Sequence, residues 1–150
     1  MNSEIQISLE IASITEEGFT PVRIDCVPGK DAKNHMKVST QILTEVDSKN
    51  HLIKIHSAVK YQVQDVIILS LAICVAYRVS PFNELISVDR EKKQISFSAD
   101  FIPTLLSTTY DTLRGVFYEK TKGTIMSDFS VPLSSPSMLA SFNRFKVVGD

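Results

Sequence analysis

The chain has 150 residues, of which 43% are hydrophobic and 22% charged, and its formal net charge is -1. This length predicts one domain over residues 1–150, with a core that needs no metal or disulfide for stability. The near-neutral charge argues against nucleic acid or an anionic membrane as a partner. The first residues lack the basic and apolar segments of a secretion signal, so we expect a cytoplasmic protein.

Alternating apolar and polar residues predict a first strand at residues 5–11. Residues 16–34 contain two glycines and two prolines, which predict a long crossover loop. Alternation returns in residues 36–46 and 53–63 and predicts the second and third strands. A turn is predicted between them, because residues 47–50 include Asp and Asn, which bond readily to their own backbone.

Residues 66–79 are almost wholly apolar but fall short of the roughly 20 residues that a membrane helix requires, so they predict a buried fourth strand without insertion into a membrane. Bulky residues alternate there with small ones: Ser70, Ala72, Cys74 and Ala76. The small face either receives another element, a partner subunit or an extended peptide, or is the shallow second face of a central strand. Residues 80–98 are predicted to be a connector.

Pro103 predicts the first turn of a helix that extends to about Lys120. One face of this helix is apolar. The opposite face carries small and polar residues: Thr104, Thr108, Asp111, Thr112 and Gly115. Solvent-facing helices more often carry Glu and Lys, so this face predicts a polar helix-to-helix contact between subunits, with a merely exposed Thr-rich face as the alternative. Pro136 predicts the start of a short final helix.

No motif in the chain indicates catalysis, a cofactor or a metal. Cys26 and Cys74 form no CxxC pair, and we expect both to be plain thiols. The histidines, His35, His51 and His56, have neither metal-ligand spacing nor a nucleophile motif nearby. His56 lies on the outward side of the third predicted strand and is interpreted as a surface imidazole. We therefore expect no enzyme activity.

This order of elements resembles the SecB-like superfamily, which comprises the export chaperones and their relatives. The resemblance is carried by residues 18–34, 51–79, 101–103, 123–124, 131–133 and 138–142. It implies an α+β fold with a four-stranded antiparallel sheet. A long crossover loop would join the first two strands, and one long helix and a short C-terminal helix would follow the sheet.

The resemblance also implies a chaperone that holds unfolded or non-native polypeptide clients in hydrophobic grooves, and that assembles as a homotetramer, a dimer of dimers. Apolar burial suits such a binder because it is indifferent to client sequence. The groove residues implied by position are Phe19, Val22, Ile24, Leu43, Met138, Leu139 and Phe142.

The resemblance leaves the client undefined. Export chaperones dock on a translocase motor through an acidic surface and a C-terminal tail, whereas residues 143–146 of this chain are basic. Docking on the motor therefore stays open, as does service to a dedicated client such as an antitoxin. The alternative is a non-chaperone scaffold or small-ligand-binding domain whose groove is filled by its own residues 18–34.

Overall fold

The computed structural model describes six segments of the chain, which are residues 6–20, 36–63, 65–89, 91–124, 131–132 and 136–148. Their elements, in chain order, are β1 (Ser8–Thr20), β2 (Met36–Asp47), β3 (Leu52–Val63), β4 (Val66–Ser80), α1 (Phe82–Leu85), β5 (Ile86–Asp89), β6 (Gln94–Phe97), α2 (Ile102–Thr121), α3 (Pro136–Phe142) and β7 (Asn143–Val148). None of the helices in these segments is long and apolar enough to cross a membrane.

Five of the strands form one sheet in the order β1-β4-β3-β2-β7, and β5 and β6 form a separate two-stranded sheet. Neighbours from β1 to β2 are antiparallel, whereas β7 runs parallel to β2. The predicted four-stranded antiparallel sheet with one long and one short helix is therefore wrong. The sheet is mixed, a second sheet is present, and the described segments contain three helices.

Two segments account for most of this difference. Residues 143–146, interpreted from sequence as a basic tail, belong to β7, in which Phe145 and Val147 alternate with Arg144 and Lys146. The predicted connector at residues 80–98 contains α1 and the β5–β6 hairpin. Both segments are short, so each offers too few alternations to be distinguished from an irregular connection.

The first strand is also longer than predicted. β1 continues through Thr20, past the expected start of the crossover at residue 16, and follows β4 along 13 residues. It does so with two register shifts, between Ile11 and Ser13 and between Glu16 and Gly18. Each shift adds one residue to β1 and changes which side chains share a face of the sheet. The rest of the predicted crossover, residues 21–34, lies outside the described segments.

Helix α2 packs across β3 and β4 and covers the centre of one face of the large sheet, which we call the inner face. The Tyr61 and Phe117 rings stack with their centroids 5.3 Å apart. The Tyr77 hydroxyl lies 2.8 Å from the Thr109 hydroxyl, which donates to the Leu105 carbonyl. Burial raises the pKa of Tyr61 to about 12. The bulky residues of β4 face this helix. The small residues alternate with them and therefore lie on the opposite face, which we call the outer face.

The predicted turn between β2 and β3 is confirmed and is built on Asp47. Its two carboxylate oxygens accept hydrogen bonds from the backbone N–H of Asn50, at 3.1 Å, and from the Asn50 side-chain amide, at 2.9 Å. Lys54 Nζ lies 3.8 Å from the same carboxylate. The hydrogen bonds from Asn50 lower the pKa of Asp47 from its usual 3.8. The turn is therefore most stable when Asp47 is ionised.

We predict that Asp47→Ala lowers the free energy of unfolding by about 1 kcal/mol at pH 7, since both turn hydrogen bonds are lost. A carboxylate whose pKa is lower in the folded state contributes fully above its unfolded pKa, and its contribution disappears as the pH falls through the folded pKa. Urea unfolding measures the free energy of unfolding of the variant and of the parent protein at pH 7 and pH 3. The difference between the two proteins should be smaller at pH 3. Lys49→Ala, in the same turn, is the control, and an undiminished difference at pH 3 would contradict the assignment.

Candidate functional site

A cleft of about 690 Å³ opens on the outer face, between β1, the centre of the sheet and the junction of α3 with β7. We call it the outer cleft. Ala58 and Ala72 line it with small side chains, whereas Leu43, Phe142 and Arg144 line it with larger ones. Small residues on neighbouring strands leave room above the sheet, so the alternation of bulky and small residues along β4 accounts for the depth of this cleft.

Three chemically different side chains meet beside the outer cleft: Glu17 of β1, His56 of β3 and Cys74 of β4. His56 Nδ1 lies 2.7 Å from Glu17 Oε1, and Cys74 is the direct cross-strand partner of His56. One ligand atom from each of the three lies within 4.8 Å of the others. Cys74 is only 9% exposed, and burial, together with the nearby Glu17 charge, raises its pKa to about 11. Its thiol is therefore protonated at neutral pH.

The second ring nitrogen of His56 faces another carboxylate. His56 Nε2 is buried without a hydrogen-bond partner and lies 3.9 Å from Glu45 Oε1. The Glu45 carboxylate also lies 3.9 Å from Lys54 Nζ. The imidazole of His56 thus stands between two carboxylates, with a close contact to Glu17 on one side and a longer approach to Glu45 on the other.

Two further clefts lie on the inner side of β7, and Phe145 lines both of them. One, of about 500 Å³, is also lined by Ile95 and Val147, and the other, of about 320 Å³, by Phe97. We call this pair the inner clefts. The Phe145 and Phe97 rings lie 5.7 Å apart between centroids, and 48% of Phe145 is exposed. β7 is the last strand of the sheet, and no described strand pairs with its free edge, which runs beside these clefts.

A row of aliphatic side chains is exposed at the opposite edge of the sheet. Its members, which we call the β1 row, are Ile7, Leu9, Ile11 and Ile14, with exposures of 37% to 52%. Leu9, Ile11 and Ile14 pair with Val79, Tyr77 and Val75 of the buried inner face. The β1 row therefore belongs to the inner face but extends beyond the part that the described residues cover.

The Thr-rich face of α2 lies at the surface. Thr108 and Thr112 donate their hydroxyls to the carbonyls of Thr104 and Thr108, at 2.8 Å in each case. Asp111 and Gly115 are exposed, and a Cβ added at Gly115 would meet no atom within 4 Å. The hydroxyl protons of Thr108 and Thr112 are thus used within their own helix, and the exposed Thr104 and Asp111 are the polar groups that this face offers to a partner. Its role as a subunit interface stays a prediction.

The structure brings together only some of the residues expected to bind clients. Leu43 and Phe142 line the outer cleft, and Met138 is exposed on α3. Leu139 is 1% exposed and packs in the core, so it is unavailable to a client. Phe19 packs against the edge of the core under Lys120, whose Nζ lies 4.9 Å from the ring centroid. Val22 and Ile24 lie outside the described residues.

Sequence reasoning missed the grouping of Glu17, His56 and Cys74, and it missed Phe145. The structure pairs the third and fourth predicted strands with each other, which brings His56 next to Cys74. Their direct pairing depends on a register shift near Tyr61, and the position of Glu17 depends on the second bulge of β1. Neither irregularity has a signal in the alternation, which is why spacing alone did not reveal the cluster.

No protein-family model matches the chain, and no curated protein matches it either. Among solved structures it is similar to a protein of unknown function from Streptococcus agalactiae, with 12% sequence identity and a TM-score of 0.41. That similarity covers 87% of this chain and 99% of the other. The resemblance to the SecB-like superfamily thus gains no support from these comparisons, and function has to be argued from the surfaces themselves.

We predict that Cys74 reacts slowly with alkylating reagents. With a pKa of about 11, a thiol is about 0.1% ionised at pH 8, against roughly a quarter for an ordinary cysteine. In the Cys26→Ser variant, iodoacetamide should modify Cys74 at least about tenfold more slowly than it modifies glutathione at pH 8. Mass spectrometry over time measures both rates, and equal rates would contradict the burial of this thiol.

Proposed function

We propose that this protein is a cytoplasmic holder of non-native polypeptide, which it binds in extended form along the free edge of β7. The observation that carries the proposal is the pair of aromatic residues Phe142 and Phe145. They are three residues apart on α3 and β7, are 44% and 48% exposed, and have open clefts on both sides of the sheet.

Binding beside β7 combines two kinds of contact. The free backbone groups of β7 can pair with any extended chain, so the main-chain hydrogen bonds are independent of client sequence. Alternate side chains of the added strand then point to opposite faces of the sheet. Those on the inner side enter the inner clefts beside Phe145, where their apolar surface leaves water. Those on the outer side lie next to Arg144 and Lys146, which favours acidic or neutral residues there.

We also propose that the protein assembles as a homotetramer, a dimer of dimers. The β1 row lies on an edge strand, and no described strand pairs with the free edge of β1. Two copies that pair through β1 would extend the sheet and bring the two β1 rows side by side on the inner face, where each buries part of the other, in an arrangement with twofold symmetry. The exposed face of α2 that carries Thr104 and Gly115 then remains for the contact between dimers. Client binding at β7 is distant from this edge, so assembly leaves it free.

The double variant Phe142→Ser, Phe145→Ser tests client binding. Each aromatic ring contributes about 1.5–3 kcal/mol when fully buried, so partial burial of two rings predicts at least about a tenfold loss of affinity for an unfolded client. Suppression of aggregation of a urea-unfolded model protein and native mass of the mixture measure the effect. Tyr118→Ser is the matched control, because Tyr118 is an aromatic residue of α2 with 64% exposure outside the clefts.

Three outcomes of this experiment are distinct. Loss of holding with unchanged urea unfolding supports the proposal. Lower stability of the free protein, with no client bound by the parent, favours the alternative in which the chain fills its own groove. Undiminished holding by the double variant, or an equal loss in Tyr118→Ser, would remove the aromatic pair from the binding surface.

Assembly is tested by Ile14→Lys. A charge within the β1 row would have to be buried between two copies, so we expect the native mass to fall from that of a tetramer to that of a smaller species. Ser13→Lys is the matched control, because Ser13 directly precedes Ile14 in β1 but pairs with Ala76 on the outer face. Size-exclusion chromatography with light scattering measures both masses. A parent protein that is already monomeric would refute the assembly.

A further inference from the structure

The cluster of Glu17, His56 and Cys74 depends on two irregularities of the sheet. The register between β1 and β4 shifts between Glu16 and Gly18, which leaves Glu17 as the extra residue of a bulge. The register between β3 and β4 shifts beyond Tyr61, and only after this shift does His56 stand opposite Cys74. Bulges re-aim side chains and are frequent near functional sites. Three strands thus present a carboxylate, an imidazole and a thiol to one point.

The distances suit a metal ion of moderate size. Tetrahedral zinc with bonds of about 2.0–2.3 Å holds its ligand atoms roughly 3.3–3.8 Å apart. In the cluster these atoms lie within 4.8 Å of one another, and the closest pair, Glu17 Oε1 and His56 Nδ1, is 2.7 Å apart. An ion between them would replace that hydrogen bond, and shifts of about 1 Å in the partly exposed Glu17 and His56 side chains would complete the arrangement.

The buried nitrogen of His56 supplies an independent argument. In the neutral ring, a proton on Nδ1 that is donated to Glu17 leaves Nε2 as an acceptor, and this buried atom then faces the Glu45 carboxylate 3.9 Å away with no donor to bind. A metal on Nδ1 places the proton on Nε2, and a side-chain movement of about 1 Å would bring this N–H within hydrogen-bonding distance of Glu45. Histidine ligands of metals commonly donate their other N–H to a carboxylate in this way.

We infer that Glu17, His56 and Cys74 form a binding site for Zn²⁺, with Glu45 as the carboxylate that orients His56. A thiolate, an imidazole and a carboxylate together match the ligand preferences of zinc, whereas magnesium and calcium prefer oxygen ligands alone. The thiol loses its proton to solvent when the metal binds. Three protein ligands leave the fourth position to a water molecule or to a donor atom of a molecule in the outer cleft. The inference does not depend on polypeptide holding at β7.

Zinc titration of the full chain, freed of metal with a chelator, tests this inference. At micromolar protein, competition with a chromophoric chelator should show one Zn²⁺ bound per chain. Alkylation of Cys74 should be slower when Zn²⁺ is bound. With Co²⁺ in place of Zn²⁺, the absorption spectrum should show a thiolate-to-metal charge-transfer band and the visible bands of a tetrahedral site. Cys74→Ser should remove the charge-transfer band.

Each of the three proposed ligand residues has a matched control. Glu17→Gln should weaken Zn²⁺ binding at least about tenfold, and Glu45→Gln by about 10–100-fold as an outer carboxylate. Glu16→Gln is the control for Glu17, since Glu16 is the preceding residue but pairs with Lys120 of α2, 2.8 Å away, on the inner face. His51→Gln and Cys26→Ser are the controls for His56→Gln and Cys74→Ser. Circular dichroism of each metal-free variant verifies that it folds.

The inference is overturned if the parent protein binds no Zn²⁺ saturably at micromolar concentration. It is also overturned if binding persists unchanged in Glu17→Gln and Cys74→Ser, because the metal would then sit elsewhere, or if bound Co²⁺ shows no thiolate band. The inference is overturned as well if a control variant weakens Zn²⁺ binding as much as the variant that it controls for.

Discussion

The packing of α2 on a single face of the large sheet is the constraint on which the other features depend. Tyr61, Phe117 and Tyr77 fix the helix over β3 and β4, and the central strands lose their inner surface to the core. One helix is too narrow for five strands, since a helix with its side chains is about 10–12 Å wide and strands lie about 4.8 Å apart. The outer face, β1 and β7 therefore keep exposed apolar or reactive groups.

The sequence predicted best the parts of the fold that rest on long local patterns. The structure confirms the predicted strands β2 and β3, the turn at Asp47 and the long helix that begins near Pro103. Alternation or helical periodicity persists over ten or more residues in these strands and in this helix. β7 escaped prediction because its pairing is remote: Thr44 bonds to Asn143, 99 residues away, and six residues of mixed character give no comparable signal.

The candidate sites show the same contrast between features that local patterns predict and features that depend on remote pairing. Leu43 and Phe142 were predicted from a resemblance and do share a cleft, whereas Leu139, in the same helix as Phe142, turned out to belong to the core. In a helix as short as α3, a single position determines whether a side chain faces the core or the surface. The neighbours of Cys74 were beyond prediction, because one inserted residue in a strand moves every later side chain to a different partner.

The two edges of the sheet carry different chemistry, and this difference supports separate roles for them. Arg144 and Lys146 line one side of β7, and charged residues on an edge strand oppose permanent pairing with another sheet. β7 is thus suited to contacts that form and break. β1 also carries charges, but its Glu10 and Glu16 form ion pairs with Arg78 and Lys120 of the same chain. β1 instead presents an aliphatic row on one face, from Ile7 to Ile14, which favours lasting burial. Under the proposed function, β7 would hold the partner that is released and β1 the partner that is kept.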